Sequence, residues 1–126
     1  MDEIIRLIPQ ERVQLNAREV MQLYTDLGPH GAEDVLCRAM ADLAQRLQRC
    51  EALFRKGETQ QLRKQARALA AVARQIGMAS LAAVAGHLME AVDRGDPVAQ
   101  AATLARLLRL GAQSLREIWD LQDLSV

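Results

Sequence analysis

Apolar residues recur at steps of three and four over most of the chain, which is the period of an amphipathic α-helix. In the stretch 60–76 the apolar positions are Leu62, Ala66, Leu69, Ala73 and Ile76. The same spacing predicts long helices over about 32–56, 79–94 and 97–121, and a shorter one over about 16–27. On the helix over 79–94 the residues expected to face inward are Leu81, Val84, Ala85, Leu88, Ala91 and Val92. On the last helix they are Leu104, Leu107, Leu108, Gly111, Leu115, Ile118 and Trp119.

Glycine and proline residues separate the predicted helices. The separating positions are Gly28-Pro29, Gly57, Gly77 and Gly95. Thr59 is expected to be the N-cap of the helix after Gly57, and Asp96-Pro97 is a strong start signal for the last helix. Four long helices joined by short connections predict an all-α fold, an antiparallel four-helix bundle.

The length of 126 residues suits one compact domain. Within it we assign 1–28 to an N-terminal extension that includes the short helix, and 32–121 to the bundle. The extension carries the apolar residues Ile4, Ile5, Leu7 and Ile8. These side chains are expected either to pack on the body of the same molecule or to form an apolar interface between molecules. The sequence leaves both options and the oligomeric state open.

Charge and composition narrow the choice of partners. The 16 basic and 16 acidic residues cancel, so net charge does not indicate a nucleic acid or an anionic membrane as a partner. No apolar run approaches the length of a membrane span, and MDEIIRLIPQER lacks a secretory leader. We therefore expect a cytoplasmic protein in which Cys37 and Cys50 remain reduced.

Residues for conventional catalysis are scarce. His30 and His87 are the only histidines and lie far apart in the sequence, and neither belongs to a recognisable metal-binding motif. The sequence has no glycine-rich phosphate loop, no nucleophile elbow and no paired carboxylates in an apolar setting. The expectation is a protein that is not an enzyme and that needs neither a metal nor a cofactor.

The predicted helix over 60–76 has an unusual second stripe, which consists of Arg63, Arg67, Ala70, Ala71 and Arg74. These residues follow helical spacing and are expected to face away from the apolar stripe. Small side chains allow another backbone to approach closely, and arginines bind carboxylates with two hydrogen bonds. The stripe therefore predicts a docking surface, although alanines chosen for helix propensity on a solvated face explain it equally well.

The same region resembles a known family. In Ala66-Arg67-Ala68-Leu69-Ala70-Ala71-Val72-Ala73-Arg74-Gln75-Ile76-Gly77, followed later by Arg94-Gly95-Asp96, the chain is similar to the histidine-containing phosphotransfer (HPt) domain. That family is a four-helix bundle of bacterial phosphorelays with a motif close to AHxLKGSAxxLG. The framework positions that match are Leu69, Ala73, Ile76 and Gly77.

The functional positions of the motif do not match. Arg67 stands where the family has its phosphoacceptor histidine, and Ala70 stands where it has a lysine that steadies the phosphate. Ala71 and Val72 replace the small glycine and serine. A guanidinium stays protonated and has no lone pair with which to attack a phosphoryl group, so Arg67 excludes phosphotransfer at this position.

The resemblance implies an HPt-like adaptor or inhibitor that cannot be phosphorylated. Its partner would be the receiver domain of a response regulator or a histidine kinase, and Arg67 would point toward the receiver's carboxylate cluster. Two alternatives stay open. One is an active phosphotransfer protein that uses His87, which shares an outward stripe with Glu90. The other is a structural or oligomerisation bundle without a signalling role.

Overall fold

The computed structural model describes residues 17–124, and the side chains of 18–120. This part of the chain forms four helices, α1 (Ala17–Arg55), α2 (Thr59–Gln75), α3 (Ala79–Asp93) and α4 (Pro97–Leu124). Each helix packs against the next, and α4 packs against α1. The predicted all-α four-helix bundle is confirmed. The predicted packing of Ile4, Ile5, Leu7 and Ile8 lies outside the described residues.

Helix α1 is interrupted at Gly28, where the backbone has φ 74° and ψ 171°. Pro29 follows and lacks the N–H that would continue the helical bonding pattern. The predicted break between a short helix and a long one is thus confirmed, although the two pieces follow each other without a loop. Leu23 and Tyr24 of the short piece pack against the core of the bundle.

The later glycines end their helices as predicted. Gly57, Gly77 and Gly95 all have positive φ, between 64° and 78°, a left-handed conformation that side chains disfavour. After each of them the chain turns back and donates to a carbonyl of the last turn, as in the 2.8 Å bond from Met78 N to Ala73 O. These closed turns explain why the connections between the helices are so short.

Of the two predicted helix starts, the one at Asp96 is confirmed and the one at Thr59 is wrong. Asp96 caps α4, because Ala99 N donates to Asp96 Oδ1 at 3.0 Å and the helix begins at Pro97. The prediction for Thr59 is wrong, since Thr59 is already the first residue of α2 and Glu58 precedes it without a side-chain cap bond. The turn at Gly57 places Glu58 at the N-cap position, one residue before the predicted one. Helix α4 also continues to Leu124, beyond the predicted end.

The inner stripes predicted for α2 and α3 form the core. Every one of these positions is buried: Leu62, Ala66, Leu69, Ala73, Ile76, Leu81, Val84, Ala85, Leu88, Ala91 and Val92. On α4 the prediction fails at Trp119, which is 60% exposed. Ile118 occupies the inward position there, and the next residue on a helix points about 100° away. Leu110, which was not predicted, is buried as well.

Candidate docking surface

The outward side of α2 carries a compact group of basic residues. Lys64, Arg67, Ala71 and Arg74 are all exposed and follow one another at steps of three and four. Helical geometry therefore places them in one stripe on the solvent side. We call these four residues the α2 outer face. Arg67, which the predicted resemblance aligns with the phosphoacceptor of the HPt motif, lies within it.

Ala70 does not belong to this face, contrary to the prediction from sequence. Its exposed fraction is 2%, and it is part of the hydrophobic core. On a helix, Ala70 lies on the same flank as Arg63, which is seven residues earlier. Arg63 contacts α3, so this flank is the one that α3 covers. The predicted site is therefore corrected at Ala70, which no partner can reach in the folded protein.

The side chain of Arg63 forms an ion pair with α3 and is only partly exposed to solvent. Its Nε donates to Asp93 Oδ1 at 2.7 Å and its Nη2 donates to Asp93 Oδ2 at 3.0 Å. The hydrogen bond and the charge of Arg63 hold the pKa of Asp93 below its usual value, and Asp93 raises the pKa of Arg63. Because two of its N–H donors are already bonded to Asp93, Arg63 is less available to an external carboxylate than the sequence suggested.

The opposite edge of α2 is linked to α1 by a similar polar contact. Arg46 Nη1 donates to Gln65 Oε1 at 3.0 Å, and Arg46 Nε lies 2.9 Å from Asp42 Oδ1. Polar contacts thus occupy both edges of α2, to α3 through Arg63 and to α1 through Gln65. The α2 outer face lies between these two edges and is directed to solvent.

The electrostatics of α2 are one-sided. Its 17 residues include Arg63, Lys64, Arg67 and Arg74 and no acidic residue, whereas the whole chain has a formal net charge of +0. Sequence reasoning missed Lys64, although its spacing of three residues from Arg67 could have indicated it. Three exposed cations around the small Ala71 suit a surface rich in carboxylates.

His87 lies apart from this face. It is exposed on α3, about 120° around the helix axis from Asp93, the residue that contacts α2. Glu90, predicted to lie on the same outward stripe, is also exposed, as are Ala83 and Arg94, whereas Ser80 is half-buried. His30 is exposed on α1, just after the break at Gly28. The structure therefore does not bring either histidine to the α2 outer face.

A second surface feature lies between α1 and α4. It is an open, mainly apolar groove of about 520 Å³, lined among others by Cys37, Met40, Leu115, Arg116, Trp119 and Asp120. Cys37 is exposed, whereas Cys50 is buried and its burial raises the pKa of the thiol to about 11. The Cys50 thiol is thus protonated at neutral pH. We call this feature the α1/α4 groove.

Three further observations limit the chemistry of the described part. Residues 17–124 contain no group of three or more histidine, cysteine or acidic residues placed to hold a metal ion. None of the described helices combines the length and apolar character needed to cross a membrane. No family model, no curated protein and no solved structure matches the chain. The geometry of the two surfaces is therefore the basis for a functional hypothesis.

Proposed function

We propose that this chain is an HPt-like signalling domain that cannot be phosphorylated at the usual position. In this hypothesis it acts as an adaptor or inhibitor that docks on the receiver domain of a response regulator or on a histidine kinase. The observation that carries the proposal is the α2 outer face, where Arg67 is exposed between Lys64 and Arg74 on a helix without acidic residues.

The bundle and the position of Arg67 support this proposal together. In the family that the sequence resembles, the helix with the phosphoacceptor presents it to the receiver domain from a four-helix bundle. Here an exposed guanidinium occupies that position on α2. Its fixed positive charge suits the carboxylate cluster of a receiver and transfers no phosphate.

The burial of Ala70 and the pairing of Arg63 reduce the number of residues in the proposed contact. Ala70 is buried, so Ala71 alone supplies the small side chain that permits close approach. Arg63 is bonded to Asp93, so Arg67, Arg74 and Lys64 supply the charge. The docking surface is accordingly narrower than the one predicted from the sequence, and it is centred on Arg67.

Binding to a panel of receiver domains tests the proposal. We expect Arg67→Glu to weaken binding roughly tenfold or more, since a close interfacial charge pair contributes about 1.5 kcal/mol or more. The matched control is Arg49→Glu, which makes the same charge change at an exposed position of α1. Binding should also weaken with salt. Equal losses in both variants would show that only net charge matters.

A phosphotransfer assay separates this function from the alternatives. After incubation with phosphorylated receivers and a histidine kinase, the wild-type chain should carry no phosphate by mass spectrometry. Phosphate that appears on the wild type and disappears in His87→Ala would overturn the adaptor hypothesis in favour of an active carrier. If the chain carries no phosphate and binds neither a receiver nor a kinase, the hypothesis of a structural or oligomerisation bundle remains.

A further inference from the structure

The α1/α4 groove exposes the largest aromatic side chain of the protein. Trp119 is 60% exposed, and Met40 and Leu115 line the groove beside it. An aromatic residue at the rim of an apolar groove is typical of a binding surface, because its ring loses contact with water when a partner covers it. The groove lies between α1 and α4, so it is separate from the α2 outer face.

We propose that the α1/α4 groove is the docking site of the segment Ile4–Ile8 of the same chain. This segment, IIRLI, contains four large apolar side chains within five residues. It precedes α1 and lies outside the described residues. Four such side chains match the apolar character and the size of a groove of about 520 Å³.

The chain is long enough to reach the groove from any direction. Along α1, Ala17 lies about 16 Å from Gly28, and Gly28 lies about 20 Å from Ala41 at the groove, at 1.5 Å per residue. If the two pieces of α1 were collinear, Ala17 would lie about 36 Å from Ala41, and this is the largest separation that the break at Gly28 allows. About 11 residues of extended chain span that distance. The middle of the apolar segment, Arg6, lies 11 residues before Ala17. The extended chain therefore brings it to the groove even at this largest separation, and any bend at Gly28 shortens the distance.

The segment and the groove both carry charges of each sign that can pair in the proposed contact. Asp2 and Glu3 precede the apolar segment, and Arg6 lies inside it. The groove carries one residue of each sign, Arg116 and Asp120, and both are exposed. Opposite charges at a rim fix the orientation of a partner more than they raise its affinity.

A tether within one chain favours this occupant over a second molecule. A short linker holds its segment at an effective concentration in the millimolar range. A second copy of the chain at micromolar concentration would compete poorly for the same groove. The proposal therefore predicts that the groove is covered to the same extent at every protein concentration.

Trp119 is the sole tryptophan of the chain, so its fluorescence reports directly on the groove. We expect the full-length wild type to show blue-shifted emission and weak quenching by acrylamide. The quadruple variant Ile4→Asn, Ile5→Asn, Leu7→Asn, Ile8→Asn should show a red shift and stronger quenching, with an unchanged far-UV circular dichroism spectrum. The matched control is Val98→Asn, which changes an apolar residue that is 79% exposed and should alter neither signal.

Disulfide trapping gives a second readout that does not depend on the quadruple variant. Cysteine is introduced singly at positions 4, 5, 7 and 8, and Val98→Cys serves as the control. Under mild oxidation at least one of the four should form an intramolecular disulfide with Cys37, which lines the groove, because such bonds require Cα atoms within about 7 Å. Peptide mass mapping identifies the bond.

Two outcomes would overturn the proposal. The first is identical Trp119 emission and quenching in the wild type and the quadruple variant, together with no intramolecular disulfide. The second is emission that shifts with protein concentration and disulfides that form only between molecules, which would assign the groove to a second copy. Because the groove lies away from α2, neither outcome affects the test of receiver binding.

Discussion

Two interfaces of the bundle, α2/α3 and α1/α4, close in different ways. At α2/α3 the buried Ala70 lies on the covered flank, and the pair Arg63–Asp93 closes the edge. At α1/α4 the side chain of Leu47 packs directly against Gly111, where a side-chain carbon would lie 2.5 Å from Leu47 Cδ1. One or two turns further along, the same interface opens into the groove beside Trp119.

This difference explains why one surface is charged and the other apolar. Where small residues and an ion pair close an interface along its edge, the outer side of the helix is left to solvent and can carry basic residues. Where a glycine accommodates a side chain of the neighbouring helix and the interface opens into a groove further along, apolar side chains that line the groove stay partly uncovered. The first arrangement supports the proposed receiver contact, and the second supports the proposed docking of Ile4–Ile8.

The largest effect is expected from a charge placed on the covered flank of α2. Ala70→Asp should lower the free energy of unfolding by about 3 kcal/mol, because a charged carboxylate would enter the apolar core at a position that is 2% exposed. The matched variant Ala71→Asp makes the same change one position further on, at an exposed site. Ala71→Asp should lower the free energy of unfolding by less than about 1 kcal/mol, which is the difference in helix propensity between alanine and aspartate. Chemical denaturation measures both values, and equal losses would contradict the assigned burial.

A smaller effect is expected from adding one methyl group at α1/α4. Gly111→Ala should destabilise the protein by about 1 kcal/mol, since the new carbon would collide with the buried side chain of Leu47. Gly86→Ala on α3 is the control, because no atom lies within 4 Å of the added carbon. Helix propensity should then stabilise it by about 0.5–1 kcal/mol. Opposite signs in thermal unfolding would confirm the close approach, whereas stabilisation in both would refute it.

The smallest effect is expected at the ion pair between α2 and α3. Asp93→Asn should reduce stability slightly at neutral pH, because the pair with Arg63 is largely exposed to solvent. Since Arg63 lowers the pKa of folded Asp93, the stabilisation is complete above the ordinary aspartate pKa of about 3.9 and is lost as the pH falls through the lowered value. Denaturation at several pH values should therefore show wild type and variant converging in acid. A difference that grows in acid would contradict this assignment.

Much of the fold could be predicted because it depends on local rules. Periodicity identified the inner stripes of α2 and α3, and the glycines with positive φ ended the helices where expected. The candidate site was predicted less completely. Arg67, Ala71 and Arg74 are exposed as expected, whereas Ala70 is buried and Arg63 is paired. Residues on the flank of a helix cannot be assigned from spacing alone, because their burial depends on which side the neighbouring helix covers.

The sequence by itself determined the number of long helices, their turns and the inner stripes, since each depends on residues within a few positions of one another. The resemblance to the HPt motif, with arginine in place of its histidine, stays a prediction from the sequence. Only the tertiary structure decided that Ala70 faces α3, that Arg63 binds Asp93 thirty residues away and that Trp119 lies over a groove and not in the core. The physical reason is that these features arise from contacts between helices, and their positions depend on how the whole bundle packs.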